Sequence, residues 1–126
     1  MDSIVHFEIP ANDVKRASEF YKKAFGWNIT QFPNFEYWTV MTTESDKNGM
    51  PTKPGSINGG MGKKGVMAPK AVTVTISVAD IDKSLATVKK LGGKAVGEKN
   101  PVGEMGFSAY FEDTEGNLIG LWQAKM

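Results

Sequence analysis

Val5-His6-Phe7-Glu8-Ile9-Pro10-Ala11-Asn12-Asp13 carries the only histidine of the chain and leads into a helical segment ending Phe20-Tyr21-Lys22-Lys23-Ala24-Phe25-Gly26-Trp27. The pattern returns 67 positions later, where Val72-Thr73-Val74-Thr75-Ile76-Ser77-Val78-Ala79-Asp80 precedes a second helical segment ending Leu91-Gly92-Gly93. The same offset carries Phe7 to Val74, Ile9 to Ile76, Asp13 to Asp80 and Gly26 to Gly93, which is the mark of an internal duplication.

Alternation places Val5, Phe7 and Ile9 on one side of a half-buried strand over residues 3 to 9, and Ile4, His6 and Glu8 on the other. Asn12 or Asp13 can cap the helix that follows. In it Val14, Ala17, Phe20, Tyr21, Ala24 and Phe25 recur at helical spacing, Lys15, Arg16, Glu19, Lys22 and Lys23 fall outside that stripe, and Gly26 stops the helix. Trp27 to Phe32 then reads as a short strand, Pro33-Asn34 as a turn, and Phe35 to Thr42 as an aromatic-rich strand. A polar loop of about a dozen residues covers Thr43 to Pro54, long enough to act as a lid. Gly55 to Met61 reads as a weak strand whose Gly59-Gly60 pair signals either a bulge or a close approach by a ligand or neighbouring backbone.

Gly62 to Lys70 reads as a linker. Beyond it the pattern predicts a strand from Ala71 to Val78, a helix from about Ile81 to Leu91 that buries Leu85 and Val88, and a short strand near Lys94 to Gly97. A turn is expected at Asn100-Pro101-Val102-Gly103. A hairpin of Phe107 to Glu112 with Asn117 to Gln123 closes around Asp113-Thr114-Glu115-Gly116. The expected architecture is α+β: two tandem βαβββ modules, about 1 to 64 and 70 to 126 of one 126-residue domain, whose eight strands form mixed sheets with both helices packed outside.

With 40% hydrophobic and 23% charged residues the chain has an ordinary globular balance. A net charge of +1 supplies no field that would draw nucleic acid or an anionic membrane. No apolar run reaches the ~20 residues a bilayer demands, and the start Met1-Asp2-Ser3-Ile4-Val5 lacks the form of a secretory leader. With no cysteine there is neither a disulfide nor a thiolate site. A cytoplasmic protein is the expectation.

Several side chains have two readings. His6 is either a general base or orienting donor, or a part-buried histidine satisfied by Glu8 or a threonine across the sheet. Glu8 shares its face and either joins it in proton abstraction or pairs with a lysine at the rim. Thr73, Thr75 and Ser77 either bind a ligand's oxygens or satisfy one another. Tyr37, Trp38, Met61, Phe107, Tyr110 and Trp122 either wall an apolar pocket or fill the core. Trp122 shares a face with Leu118 and Gly120, and the missing side chain at Gly120 is expected to leave room for a ligand. Gly59-Gly60-Met61-Gly62-Lys63-Lys64 lacks the spacing of a phosphate loop, and no G-x-S-x-G elbow accompanies His6.

The duplicated unit, with His6 in its first strand, Phe20-Tyr21 late in its helix, Phe25-Gly26-Trp27 at its end, Ile57-Asn58-Gly59-Gly60-Met61 closing the first module and Phe111-Glu112-Asp113-Thr114-Glu115-Gly116-Asn117-Leu118-Ile119-Gly120-Leu121-Trp122-Gln123 closing the second, resembles the vicinal oxygen chelate superfamily. That group includes glyoxalase I, bleomycin-resistance proteins, fosfomycin-resistance enzymes and extradiol dioxygenases, and the flavour here is that of small glyoxalase-like proteins. The resemblance implies a divalent metal bound by one ligand from the first and one from the last strand of each module. By position these places fall on His6, on Thr73, on Gly120 and somewhere in Asn58 to Gly60. One imidazole with a threonine and glycines falls short of three or four good ligands, so the expectation is a site that has lost its metal and needs no cofactor.

The resemblance also implies that the modules curl an open mixed sheet around a cavity. The expected occupant is a small, partly apolar organic ligand held by His6, Thr73, Thr75, Tyr37, Met61, Tyr110 and Trp122, with His6 and Glu8 as candidate proton-transfer groups, and the incomplete closure of two such sheets points, with the resemblance, to a homodimer. A sequestering protein of the bleomycin-resistance type is the alternative, followed by a metal-dependent lyase or dioxygenase.

Overall fold

The computed structural model describes residues 1–125; Met126, the expected end of the second module, lies outside the described residues. The chain divides into two compact units, one of His6–Val72 and one of Met1–Val5 with the residues from Thr73 onward. The split falls inside the first strand, β1 (Ile4–Ala11), rather than at the linker alone. Its cause is local: the Ser77 N–H donates to the Ser3 carbonyl at 2.9 Å, tying the N-terminus to the second unit.

In the first unit β1 is followed by α1 (Val14–Phe25), β2 (Asn28–Gln31), β3 (Tyr37–Met41) and β4 (Gly59–Lys63). The sheet order is β2-β3-β4-β1, mixed because β1 and β4 run parallel while β3 is antiparallel to both its neighbours. The second unit repeats the plan with β5 (Thr73–Ser77), α2 (Ile81–Lys90), β6 (Lys94–Val102), β7 (Gly106–Glu112) and β8 (Leu118–Ala124), in the order β5-β8-β7-β6. Each unit is thus a βαβββ module with an open four-stranded sheet, the α+β architecture that the repeat predicts.

Both helices start on an aspartate cap. Asp13 accepts from the Arg16 N–H at 3.0 Å and Asp80 from the Lys83 N–H at 3.1 Å, each satisfying a donor that the first turn leaves orphaned. Gly26 ends α1 in the left-handed region at φ 73°, where a side chain would be strained.

The buried stripe of α1 is narrower than its apolar pattern suggests. Val14, Ala17, Ser18 and Tyr21 face the sheet, whereas Phe20 and Phe25 are 61% and 65% exposed. The first core joins Ala11, Ile29, Val40 and Met61 to Phe7, Ile9, Tyr21, Trp27 and Trp38. In it Tyr21 stacks on Trp27 with ring centroids 4.8 Å apart, a pair worth about 0.5–1.5 kcal/mol beyond area burial. The second core gathers Val78, Ile81, Ala109, Phe111 and Leu121, with Leu85 and Val88 of α2 packed against it.

Two expectations on element bounds are corrected. β6 runs to Val102 instead of ending near Gly97, so Asn100-Pro101-Val102 lies in a strand. It is the outer strand of its sheet, where a proline costs no ladder bond, and Gly97 at φ 72° sits inside a register shift between Val96 and Asn100. β4 begins at Gly59 rather than Gly55, because the chain before it is held by Asn58, which accepts from the Thr42 N–H at 2.9 Å and donates to Ser45 Oγ at 2.7 Å. The long loop is therefore tied at both ends. No helix among the described residues is long and apolar enough to cross a membrane.

Candidate functional site

Strand alternation separates the first unit into two faces. Phe7 and Ile9 go to the helix-covered core, and His6 and Glu8 go to the opposite face. In register, Glu8 lies beside Gly60 of β4, and Gly60 beside Thr39 of β3. The Gly59-Gly60 pair makes no bulge. It is a close approach from both sides: a Cβ at Gly59 would strike Phe7, and a Cβ at Gly60 would strike the Tyr37 hydroxyl and ring.

Tyr37 uses that space to reach from β3 across β4 to β1. Its hydroxyl donates to Glu8 Oε2 at 3.2 Å and lies 3.3 Å from His6 Nε2. His6 and Glu8 are thus joined through a phenol. Glu8 is only 7% exposed, and burial holds the His6 imidazole below its ordinary pKa, so it is neutral at physiological pH. A neutral imidazole linked to a carboxyl group is equipped to accept a proton, and the linkage gives the resulting imidazolium a polar partner.

Other expected site residues are placed differently. Met61 is fully buried on the helix side, where Ser18 Oγ approaches its sulfur at 3.9 Å, so it is a core residue and does not share the face of His6. Trp38 packs in the same core, and Phe107 packs against the core of the second unit. The described clefts of the first unit, of about 260 and 370 Å³, are lined around α1 by residues such as Val14, Trp38, Ile9 and Phe20, and neither includes His6, Glu8 or Tyr37. The His6–Tyr37–Glu8 chain lies on the sheet face, not in these clefts.

In the second unit Thr75 pairs with Gly120 and Ser77 with Trp122, while Tyr110 lies opposite Gly120 on β7. These side chains, with Thr73, share the face turned away from the core. Thr73 and Thr75 are 2% and 7% exposed. The room expected beside Gly120 is already taken, since a Cβ there would lie 2.7 Å from Thr75 Oγ1. Trp122 lies over Gly106, whose Cβ would come within 2.9 Å of the indole.

Sequence reading missed the role of Tyr37 as a bridge. Its signal was present in the glycine pair, which reports an intruding side chain without saying which one.

A family described as "Bleomycin resistance protein-like N-terminal" matches residues 3–44, the span that holds His6, Glu8 and Tyr37. A "Glyoxylase-like domain-containing protein" of Didymella fabae is 34% identical over 114 residues, covering 87% of this chain and 84% of that protein. Among solved structures, hypothetical protein BH1468 from Bacillus halodurans C-125 aligns with TM-score 0.66 at 14% identity over 99% of this chain and 96% of that one. Methylmalonyl-CoA epimerase from Mycobacterium tuberculosis aligns with TM-score 0.61 at 17% identity over 98% and 88%. A glyoxalase/bleomycin resistance protein/dioxygenase superfamily member from Vibrio splendidus 12B01 aligns with TM-score 0.61 at 14% identity over 99% and 100%. The chain belongs to the glyoxalase-like proteins of the vicinal oxygen chelate superfamily.

The metal implied by that superfamily can be tested against the donors present. The first unit offers His6 and Glu8 with a phenol hydroxyl between them, and the second has a buried threonine at 73 and glycine at 120 in the corresponding places. Among the described residues no three His, Cys, Asp or Glu side chains are grouped to hold an ion. A divalent centre needs three or four such ligands, so this donor set does not fit one.

Proposed function

We propose that the protein binds a small, partly apolar organic molecule and moves a proton on it, with His6 as the base and Glu8 as its supporting carboxyl group. The observation that carries this reading is the His6–Tyr37–Glu8 chain on the sheet face away from the helix. Lowered by burial, His6 is unprotonated at neutral pH and ready to accept a proton, for example from carbon next to a carbonyl group. Thr73, Thr75, Tyr110 and Trp122, on the face of the second unit's sheet turned away from its core, are proposed as ligand contacts of that unit. The fold is shared with methylmalonyl-CoA epimerase, which is in keeping with a small-molecule site but names no substrate.

The test is proton exchange in heavy water. Protein is incubated with a panel of small ketones, 2-oxo acids and thioesters, and deuterium uptake next to the carbonyl is followed by NMR. Uptake by the unaltered protein, lost in His6→Ala, is the expected result. Uptake that His6→Ala leaves unchanged overturns the reading. Elemental analysis of protein purified without chelator accompanies it: a stoichiometric divalent metal that disappears with His6→Ala would establish the metal-dependent alternative instead.

A second reading is favoured by the bleomycin-resistance match over residues 3–44: binding without turnover. It predicts ligand-induced quenching of tryptophan fluorescence with no exchange. A homodimer in the cytoplasm belongs to both readings, and the exposed Phe20 and Phe25 of α1 support the dimer. Light scattering that returns only the 13.7 kDa monomer at micromolar concentration refutes the dimer.

A further inference from the structure

We infer that Tyr37 is a positioning residue that fixes His6 as the Nε2–H tautomer and thereby makes Nδ1 the nitrogen that takes the proton. This rests on the reading of His6 as a base and names the atom that acts. Tyr37 has one hydroxyl proton, and it is directed to Glu8 Oε2 at 3.2 Å. Its oxygen therefore faces His6 Nε2, 3.3 Å away, as an acceptor. Nε2 must be the donor. A neutral imidazole has a single N–H, so Nδ1 keeps the lone pair.

The arrangement is built by the sheet. Tyr37 stands on β3 and both of its partners on β1, with β4 between them. Two interstrand steps of about 4.8 Å separate those strands, and a phenol spans them only if nothing projects from the strand in the middle. Gly60 meets that condition, because any Cβ there would collide with the phenol. When Nδ1 accepts a proton from substrate, the bonding pair stays on the substrate atom, and Nε2–H remains donated to Tyr37. No proton has to travel along the chain. The phenol holds the ring orientation and passes the polarity of Glu8 to the imidazolium.

The sole histidine makes the test clean. In ¹⁵N-labelled protein, at a pH where the imidazole is neutral, a long-range ¹H–¹⁵N correlation of the ring should show a protonated, pyrrole-type Nε2 and an unprotonated, pyridine-type Nδ1. Tyr37→Phe should replace this with the averaged shifts of a mixed tautomer population. Glu8→Gln, which offers an N–H as well as an oxygen, should also loosen the preference and serves if Tyr37→Phe does not fold. An Nδ1–H tautomer in the unaltered protein overturns the inference, as does a spectrum that neither substitution changes. No ligand is used, so this outcome is independent of the deuterium-exchange test, and failure of one is distinguishable from failure of the other.

Discussion

The Tyr37 hydroxyl occupies the space in which a side chain at Gly60 would begin. The two residues are therefore one device: glycine on β4 creates the gap, and tyrosine on β3 fills it with the group that joins His6 to Glu8.

Gly60→Ala should evict the phenol and lower stability by about 1–3 kcal/mol, the range for overpacking a filled site. In a Tyr37→Ala background the same substitution should cost less, giving a coupling of at least about 0.5 kcal/mol in a double-mutant cycle. Urea midpoints of the four proteins check this, and additive effects would mean that the gap and the phenol are unrelated.

Ile81 is fully buried at the start of α2 and belongs to the core formed with Val78, Ala109, Phe111 and Leu121. Ile81→Ala should destabilise by about 2–5 kcal/mol through lost transfer energy and a residual cavity. Chemical denaturation at constant m-value is the measurement, and a loss below the Ile→Val range of about 0.5–1.5 kcal/mol contradicts the packing described.

Asp13→Ala and Asp80→Ala each remove a helix cap, and each should cost about 1 kcal/mol. Asparagine at either place keeps the accepting oxygen and should restore most of the loss. Equal stability of the alanine and asparagine variants would show that the caps contribute nothing.

The pH dependence has a definite sign. Burial lowers the His6 pKa, so around the unfolded value of about 6.5 the unfolded chain binds more proton than the folded one. Its contribution is fully present above that value, declines as pH falls, and levels off below the folded pKa. His6→Gln should flatten this part of the stability profile. Asp113 is also lowered, chiefly by the Asn117 side chain, so its contribution is present above the unfolded value of about 3.9 and is lost as pH falls through the folded pKa. Thermal melts of His6→Gln and Asp113→Asn across the acid range measure the two windows separately.

Sequence alone determined the duplication, because strand alternation, aspartate caps and glycine stops are local signals that recur at one spacing in both halves. It also put His6 and Glu8 on one face, since a strand has a fixed period of two. Tertiary structure decided what those residues meet. Helical periodicity marked Phe20 and Phe25 as buried, but only the packing of α1 on its sheet chose the narrower stripe through Val14, Ala17, Ser18 and Tyr21. Met61 read equally well as pocket or core until the register set it beside Ile9 and Trp38. The Tyr37 bridge was illegible for the same reason: it joins residues 29 and 31 positions apart across an intervening strand, and pairing register, a long-range property, brings them within hydrogen-bond reach.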